Sequence, residues 1–259
     1  MLAFERSLLP GTRDLFDFDG HCYVCNEAVS FRVSFDHVQT LDGVATPIWR
    51  ETVNCPSCHF NNRMRAAVHV FELECNPGHD SKIYITEQTT PKYDWYRKNY
   101  ADVSGSEHLG QSIPLGGQND KGIRNEDITK LTFPDAEFDF ILSFDVFEHI
   151  PDYASALENC FRCLKPDGTL FFSVPFVKQA RMNIVRAVVE NGEVRHLLPP
   201  EYHGDPLSSE GCLCYYHFGW ELLDVLRSIG FEDVTALMFS SADHGYLGGE
   251  QIMFKASRL

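Results

Sequence analysis

No stretch of this 259-residue chain is apolar for long enough to cross a membrane. Its opening, Met1-Leu-Ala-Phe-Glu-Arg, is not followed by the apolar core of a signal peptide. The sequence therefore reads as a soluble, cytoplasmic protein. Positive charge is scarce: 22 Lys and Arg stand against 37 Asp and Glu, a net charge of −15. That deficit weighs against a partner that must be wrapped along a phosphate backbone, which calls for clustered Lys and Arg. Internal repeats and low-complexity linkers are missing too, so the N-terminal segment is expected to pack rather than hang on a tether. The hydrophobic content, 44%, is ordinary and sufficient for a sizeable core. The length allows one large domain with a small one beside it.

Cysteine is what the chain does have: nine residues. Four fall in two knuckles, Cys22-Tyr-Val-Cys25 and Cys55-Pro-Ser-Cys58. Two-residue spacing lets both sulfurs of a knuckle reach one ion, and the second pair completes a tetrahedral shell. Free thiols and a redox or disulfide pair are the competing readings, but zinc in a ribbon suits the spacing best. Four sulfur ligands leave no place for water, so such a zinc is structural. Cys160 and Cys163 repeat the spacing on an expected helix face, where core packing is the better reading. Burial is likewise expected for Cys212 and Cys214. Arg63 and Arg65, beside the ribbon, read as a solvated helix face, with an anion site as the alternative.

The ribbon is expected over residues 1–60, with β-prone stretches at Val29 to Phe35 and Pro47 to Val53. After it, Met64, Ala67, Val68 and Phe71 recur at helical spacing. From Ser81 strands and helices alternate. Strands are expected at 82–86, 102–106, 138–144, 169–175, 233–239 and 251–255. Helices are expected at 91–100, 154–164 and 218–229, the second with Ala154, Leu157, Phe161 and Leu164 on its buried face. This alternation predicts a mostly parallel α/β sheet whose ligand site lies at the carboxyl ends of the strands.

The run Phe133-Pro-Asp-Ala-Glu-Phe-Asp, the buried strand after it, Glu148-His-Ile-Pro-Asp152 and Leu164-Lys-Pro-Asp-Gly168 resemble, in that order, the middle of class I S-adenosylmethionine-dependent methyltransferases of the type 11-like kind. The resemblance covers roughly Ser81 to Lys255. It implies a Rossmann-like seven-stranded sheet, mostly parallel with an antiparallel terminal strand, over residues 61–259. It also implies that Glu107 binds the cofactor ribose, with Gly105 in the same strand end. Asp127 would meet the adenine amino group with the Ile128 backbone beside it, and Phe144 and Asp145 would border the methionine part. One departure is plain. The family's glycine-rich loop after the first strand is here Thr86-Glu-Gln-Thr-Thr-Pro91, without glycine. Glu87 stands where the usual motif opens with an acid, and Thr89, Thr90 and the helix start offer donors to the cofactor carboxylate.

Residues 177–217 are too long for a plain crossover and read as a lid over the strand ends. Within it, His203 and His217 are acid–base candidates, as are Asp145 and His149 after the fourth strand. For His149 the plainer reading is a helix-start residue bonded to a neighbouring loop. Glu201, Tyr202 and Asp205 offer acceptors to a hydroxyl-rich substrate such as a sugar. The reading as a whole is methyl transfer from S-adenosylmethionine to a small polar acceptor on oxygen, nitrogen or carbon. The alternatives are a scaffold that kept the fold without catalysis and, against the acidic balance, an RNA methyltransferase.

Overall fold

A computed structural model describes residues 1–205 and 207–259. The chain divides into two compact units, one of residues 1–76 with 238–252, the other of residues 77–237 with 253–259. No helix among the described residues is long and apolar enough to cross a membrane.

The first unit begins with helix α1 (Leu2–Leu8) and the antiparallel pair β1 (Phe16–Cys22) and β2 (Glu27–Val33), with Phe16 opposite Val33 and Cys22 opposite Glu27. A second hairpin, β3 (Val38–Leu41) with β4 (Val44–Pro47), follows. The expected strand at 47–53 is instead mostly a single helical turn, α2 (Trp49–Thr52), leading into the two-residue strand β5 (Val53–Asn54) beside β2. The turn buries Trp49 at 1% exposure among Phe18, Phe31, Val33 and Leu247, which a straight strand of alternating faces would not do. Helix α3 (Asn62–Cys75) starts where the Asn61 side chain accepts the Met64 N–H at 3.0 Å. It stops at Asn76, whose φ of 43° ends the helical path.

The second unit is built on a sheet with a regular βα alternation. Its strands are β6 (Lys82–Ile85), β7 (Asp102–Gly105), β8 (Phe138–Phe144) and β9 (Leu164–Ser173), linked by helices α4 (Pro91–Asn99) and α5 (Tyr153–Cys163). Thr90 caps α4 by accepting the Tyr93 N–H at 3.3 Å, with Pro91 in the first turn. Asp152 caps α5 in the same way, accepting the Ser155 N–H at 3.1 Å. The buried face of α5 is Ala156, Leu157, Cys160 and Cys163. It is rotated from the expected stripe, because the two thiols pack inward at 0% exposure as core residues.

Residues 177–217 form three short hairpins. The outermost pairs β10 (Ile184–Val185) with β15 (Tyr216–His217). Inside it lie β11 (Ala187–Glu190) with β12 (Glu193–His196), and β13 (Tyr202–Asp205) with β14 (Ser208–Leu213). Helix α6 (Glu221–Ile229) ends at Gly230, whose φ of 119° a residue with Cβ rarely adopts. Strands β16 (Glu232–Ser241) and β17 (Tyr246–Arg258) complete the chain.

The sheet order is β16-β17-β9-β8-β6-β7. Strands β7, β6, β8 and β9 run parallel, and β17 is antiparallel to β9. Of the seven places expected, six hold strands among the described residues. The outer place beyond β7 is marked by one parallel bridge, Glu107 with Asn125. Asn125 explains the shortness: its side chain accepts the Leu109 N–H and donates to the Gly110 and Ile113 carbonyls. It thereby closes a loop where a longer strand would need paired backbone.

Candidate active site and a four-cysteine metal centre

In the first unit Cys22 and Cys58 lie with their sulfurs 3.8 Å apart, and Cys25 and Cys55 likewise at 3.8 Å. A zinc ion about 2.3 Å from each of four thiolates sets the sulfurs about 3.8 Å from one another, so the donor set fits that metal. All four are free thiols, with Cys22 and Cys55 buried. Without a cation their protons are unevenly shared. Hydrogen bonding from Cys58 draws Cys22 down to about 5, and burial, followed by Cys22, pushes Cys25 up to about 12. Arg65 is not a solvated residue: it is buried at 0% exposure, with its guanidinium 4.0 Å from the centre of the Phe31 ring. Burial lowers its pKa, and the thiolates of Cys22, Cys58 and Cys55 are among the groups that act to raise it. One zinc on four thiolates would leave two negative charges, and Arg65 would supply part of the balance. Arg63 pairs with Glu51 at 2.8 Å.

In the second unit the carboxyl ends of β6, β7 and β8 gather the residues expected to hold the cofactor. Glu107 Oε1 accepts three hydrogen bonds from the glycine-free loop: Gln88 N–H at 2.7 Å, Thr89 N–H at 2.8 Å and the Thr89 hydroxyl at 2.7 Å. One carboxylate oxygen thus shapes a loop that glycines shape elsewhere, and Oε2 keeps its acceptor capacity. Gly105 lies against the same loop. A Cβ there would come 2.7 Å from the Glu87 carbonyl and would strike the Tyr93 ring. Asp127 Oδ1 caps a short turn, accepting the Thr129 N–H at 3.0 Å and its hydroxyl at 2.7 Å, while Oδ2 lies 3.3 Å from Lys130. Partial burial works to raise its pKa, but Thr129 and Lys130 overcome it and the net direction is down. Ile128 beside it is buried. Asp145 follows β8 directly with φ +56°, a conformation costly for a residue with Cβ, and accepts the Ser173 hydroxyl at 3.0 Å.

Sequence reasoning missed Lys92. Its ammonium is buried at the start of α4, 3.0 Å from Glu87 and 4.0 Å above the Phe144 ring. The signal was present only as a lysine in the first turn of α4, five residues after an acid in the preceding loop, a spacing that marks no particular pairing.

The hairpins of residues 177–217 dock on the turn after β8. Tyr215 N–H donates to the Glu148 carbonyl at 2.7 Å, and His149 Nδ1 lies 2.8 Å from the Leu213 carbonyl. The neighbouring loop expected to hold His149 therefore belongs to the hairpins of residues 177–217. Glu148 is fully buried. Its Oε1 lies 3.5 Å from His203 Nδ1 and 3.6 Å from His149 Nε2, and neither oxygen has a hydrogen-bond partner among the described residues. Glu201 Oε1 lies 3.1 Å from His203 Nε2 and 3.0 Å from His217 Nε2, while its other oxygen pairs with Arg186 at 3.0 Å. Burial raises the Glu148 pKa. Glu148, against a smaller opposing effect of burial, raises that of His203. For Glu201 burial works upward, and His217 and His203 reverse it to a lowered value. His149, His203 and His217 are thus brought together through two carboxylates. Asp145 lies three residues before Glu148. Tyr202 is exposed, and the Asp205 side chain lies outside the described residues.

Sheet order, strand-end carboxylates and the βα alternation together define a methyltransferase fold. Residues 94–172 match the family described as "Methyltransferase domain", the class that this stretch of the sequence resembles. Over 53 residues it is 40% identical to a probable S-adenosylmethionine-dependent methyltransferase of Mycolicibacterium smegmatis, covering 20% of this chain and 21% of that protein. Over 67 residues it is 33% identical to a ubiquinone biosynthesis O-methyltransferase of Pseudomonas fluorescens, covering 26% of this chain and 28% of that one. The chain thus spans about a quarter of the length of these curated relatives. An S-adenosylmethionine-dependent methyltransferase from Mesorhizobium loti shares the fold, with a TM-score of 0.50 and 17% identity over 78% of this chain and all of that one.

Proposed function

We propose that the protein is a cytoplasmic methyltransferase that moves the methyl group of S-adenosylmethionine to a small polar acceptor. The observation that carries the reading is the docking of the hairpins at residues 177–217 on the turn after β8. It sets Glu148, His149, His203, Glu201 and His217 as one polar wall beside the strand ends. The cofactor would be held by Glu107 Oε2 at the ribose and Asp127 with the Ile128 backbone at the adenine. Gly105, Phe144 and the Glu87–Thr89 loop would surround the rest, with Thr89, Thr90 and Lys92 facing the carboxylate. Bound there, S-adenosylmethionine supplies a methyl carbon made electrophilic by its sulfonium. The residues of the chain then have to orient the acceptor and take its proton where one leaves. Asp145, His149, His203 and His217 are the side chains we assign to that wall. A lid of hairpins suits a small molecule, which it can shield from water, better than an RNA or a folded protein. Glu201 and Tyr202 offer acceptors to hydroxyl groups, which favours a sugar or a similar metabolite. A structural zinc on Cys22, Cys25, Cys55 and Cys58 completes the proposal.

Calorimetry with S-adenosylmethionine is the test. The parent should bind, and Glu107→Ala should weaken binding by roughly 1–3 kcal/mol, the scale of a charged hydrogen-bond acceptor. A parent that does not bind would leave the scaffold reading in place. A variant that binds as tightly as the parent would remove Glu107 from the site.

A further inference from the structure

Three possible ligand atoms converge in the polar wall. They are Glu148 Oε1, His149 Nε2 and His203 Nδ1, all within 4.8 Å of one another. The far nitrogen of each imidazole fixes its tautomer. His149 Nδ1 lies 2.8 Å from the Leu213 carbonyl, which can only accept, so Nδ1 carries the hydrogen. His203 Nε2 lies 3.1 Å from Glu201 Oε1, a carboxylate oxygen, so Nε2 is the donor there. In the neutral ring the inward nitrogens, His149 Nε2 and His203 Nδ1, then present lone pairs to the Glu148 carboxylate. Two lone pairs and a fully buried, ionised carboxylate without a hydrogen bond repel, and a cation among them would relieve the repulsion.

The two separations from Glu148 bear on the kind of cation. A protonated imidazole would close on a carboxylate to about 2.7–2.9 Å. The observed 3.5 and 3.6 Å are too long for that. Donors held about 2.1 Å from a tetrahedral centre lie about 3.4 Å apart, which both distances approach. We propose that Glu148, His149 and His203 form a second metal site, for a divalent first-row transition-metal cation, separate from the four cysteines. The surroundings are of the kind metal-bound histidines keep. A backbone carbonyl orients His149 and a carboxylate orients His203, and that carboxylate is itself fixed by His217 and Arg186. Two imidazoles and one carboxylate make an open set, with room for an exogenous ligand, unlike the closed set of four thiolates. Resting on the methyltransferase reading, the ion would bind an acceptor oxygen and lower its pKa, leaving His149 and His203 as ligands and not bases.

The test uses the full chain with zinc on the cysteines, titrated with Mn2+ and followed by electron paramagnetic resonance, with Zn2+ calorimetry in parallel. Thiolates bind Mn2+ poorly, so the probe reports the nitrogen–oxygen site. The expected result is one tightly bound equivalent. Glu201→Gln should weaken it by about 10–100-fold, as loss of an orienting partner does, and Glu148→Gln or His203→Ala by more. Should Glu148→Gln fail to fold, His203→Ala decides, because that side chain is 31% exposed and leaves the core intact. Affinity for S-adenosylmethionine, measured on the same variants, should hold, which keeps this result separate from the cofactor reading. A parent that binds neither Mn2+ nor additional Zn2+ would overturn the proposal. So would a His203→Ala variant that binds both as the parent does.

Discussion

Replacing Gly105 with Ala adds one methyl group at a place where the structure has no room for it. The new Cβ would lie 2.7 Å from the Glu87 carbonyl oxygen and 2.9 Å from Tyr93 Cδ2, with another atom of that ring closer still. Ordinary contacts between such atoms are about 3.5–4.0 Å, so something must retreat by roughly 1 Å. The Tyr93 ring is buried at 6% exposure on α4 and cannot swing into solvent. The Glu87 carbonyl is no freer, since the next two backbone N–H groups, of Gln88 and Thr89, both donate to Glu107 Oε1. Overpacking of this kind costs about 1–3 kcal/mol. For a unit of this size that is a fall in melting temperature of roughly 2–12 °C. Urea unfolding followed by circular dichroism should show a lower midpoint with an unchanged slope. Affinity for S-adenosylmethionine should fall as well, because the backbone that must yield belongs to the loop placed against the cofactor. A variant with the parent's midpoint and the parent's affinity would refute both the close approach and the role given to the loop.

Two other outcomes are expected. Cys55→Ser should carry about one zinc fewer per chain by elemental analysis and should lose amide protection in the first unit before the sheet, because binding energy at such a site is folding energy. Full protection without the metal would contradict it. Asp139 joins three strands, accepting the Lys82 N–H at 2.8 Å and the Lys165 ammonium at 2.9 Å on both oxygens. Partial burial works to raise its pKa, but Lys165 and Lys82 bring it below the ordinary value. A depressed carboxylate stabilises the fold above its unfolded pKa and loses that contribution as pH falls through the folded one. The urea midpoint of the parent should therefore decline below about pH 4 more steeply than that of Asp139→Asn, and parallel declines would remove Asp139 from the acid response.

The parallel sheet was legible because its strands are short apolar runs closed by turn residues, and because Thr90-Pro91 and Asp152 announce their helices locally. The knuckles were legible because zinc fixes a spacing along the chain. What escaped depends on partners far apart in sequence. Trp49 leaves strand geometry to reach a core that includes Leu247, and Arg65 is buried among Phe31 and the cysteines. The seventh strand implied by the resemblance gives way, beyond β7, to a loop closed by the Asn125 amide. In the polar wall, His203 meets Glu148 only because β13 and β14 pair and dock on the turn after β8, a relation that no local pattern encodes. The histidines could be named in the sequence, but the carboxylates between them could not.

The hairpin of β16 and β17 has a bearing on how the protein is made. Its tip, residues 238–252, belongs to the first compact unit. There the Leu247 carbonyl accepts from the Asn62 amide at 2.9 Å, Gly248 N–H donates to Glu5 at 2.9 Å, and His244 lies edge-on to His69. On a ribosome the cysteine knuckles emerge long before the segment that seals their core. The knuckles could gather a metal early, but the interior around them cannot close until residues 238–252 have been made. A nascent chain stalled before residue 238 would hold a metal-bound knuckle pair with its hydrophobic side still open, a natural client for a chaperone.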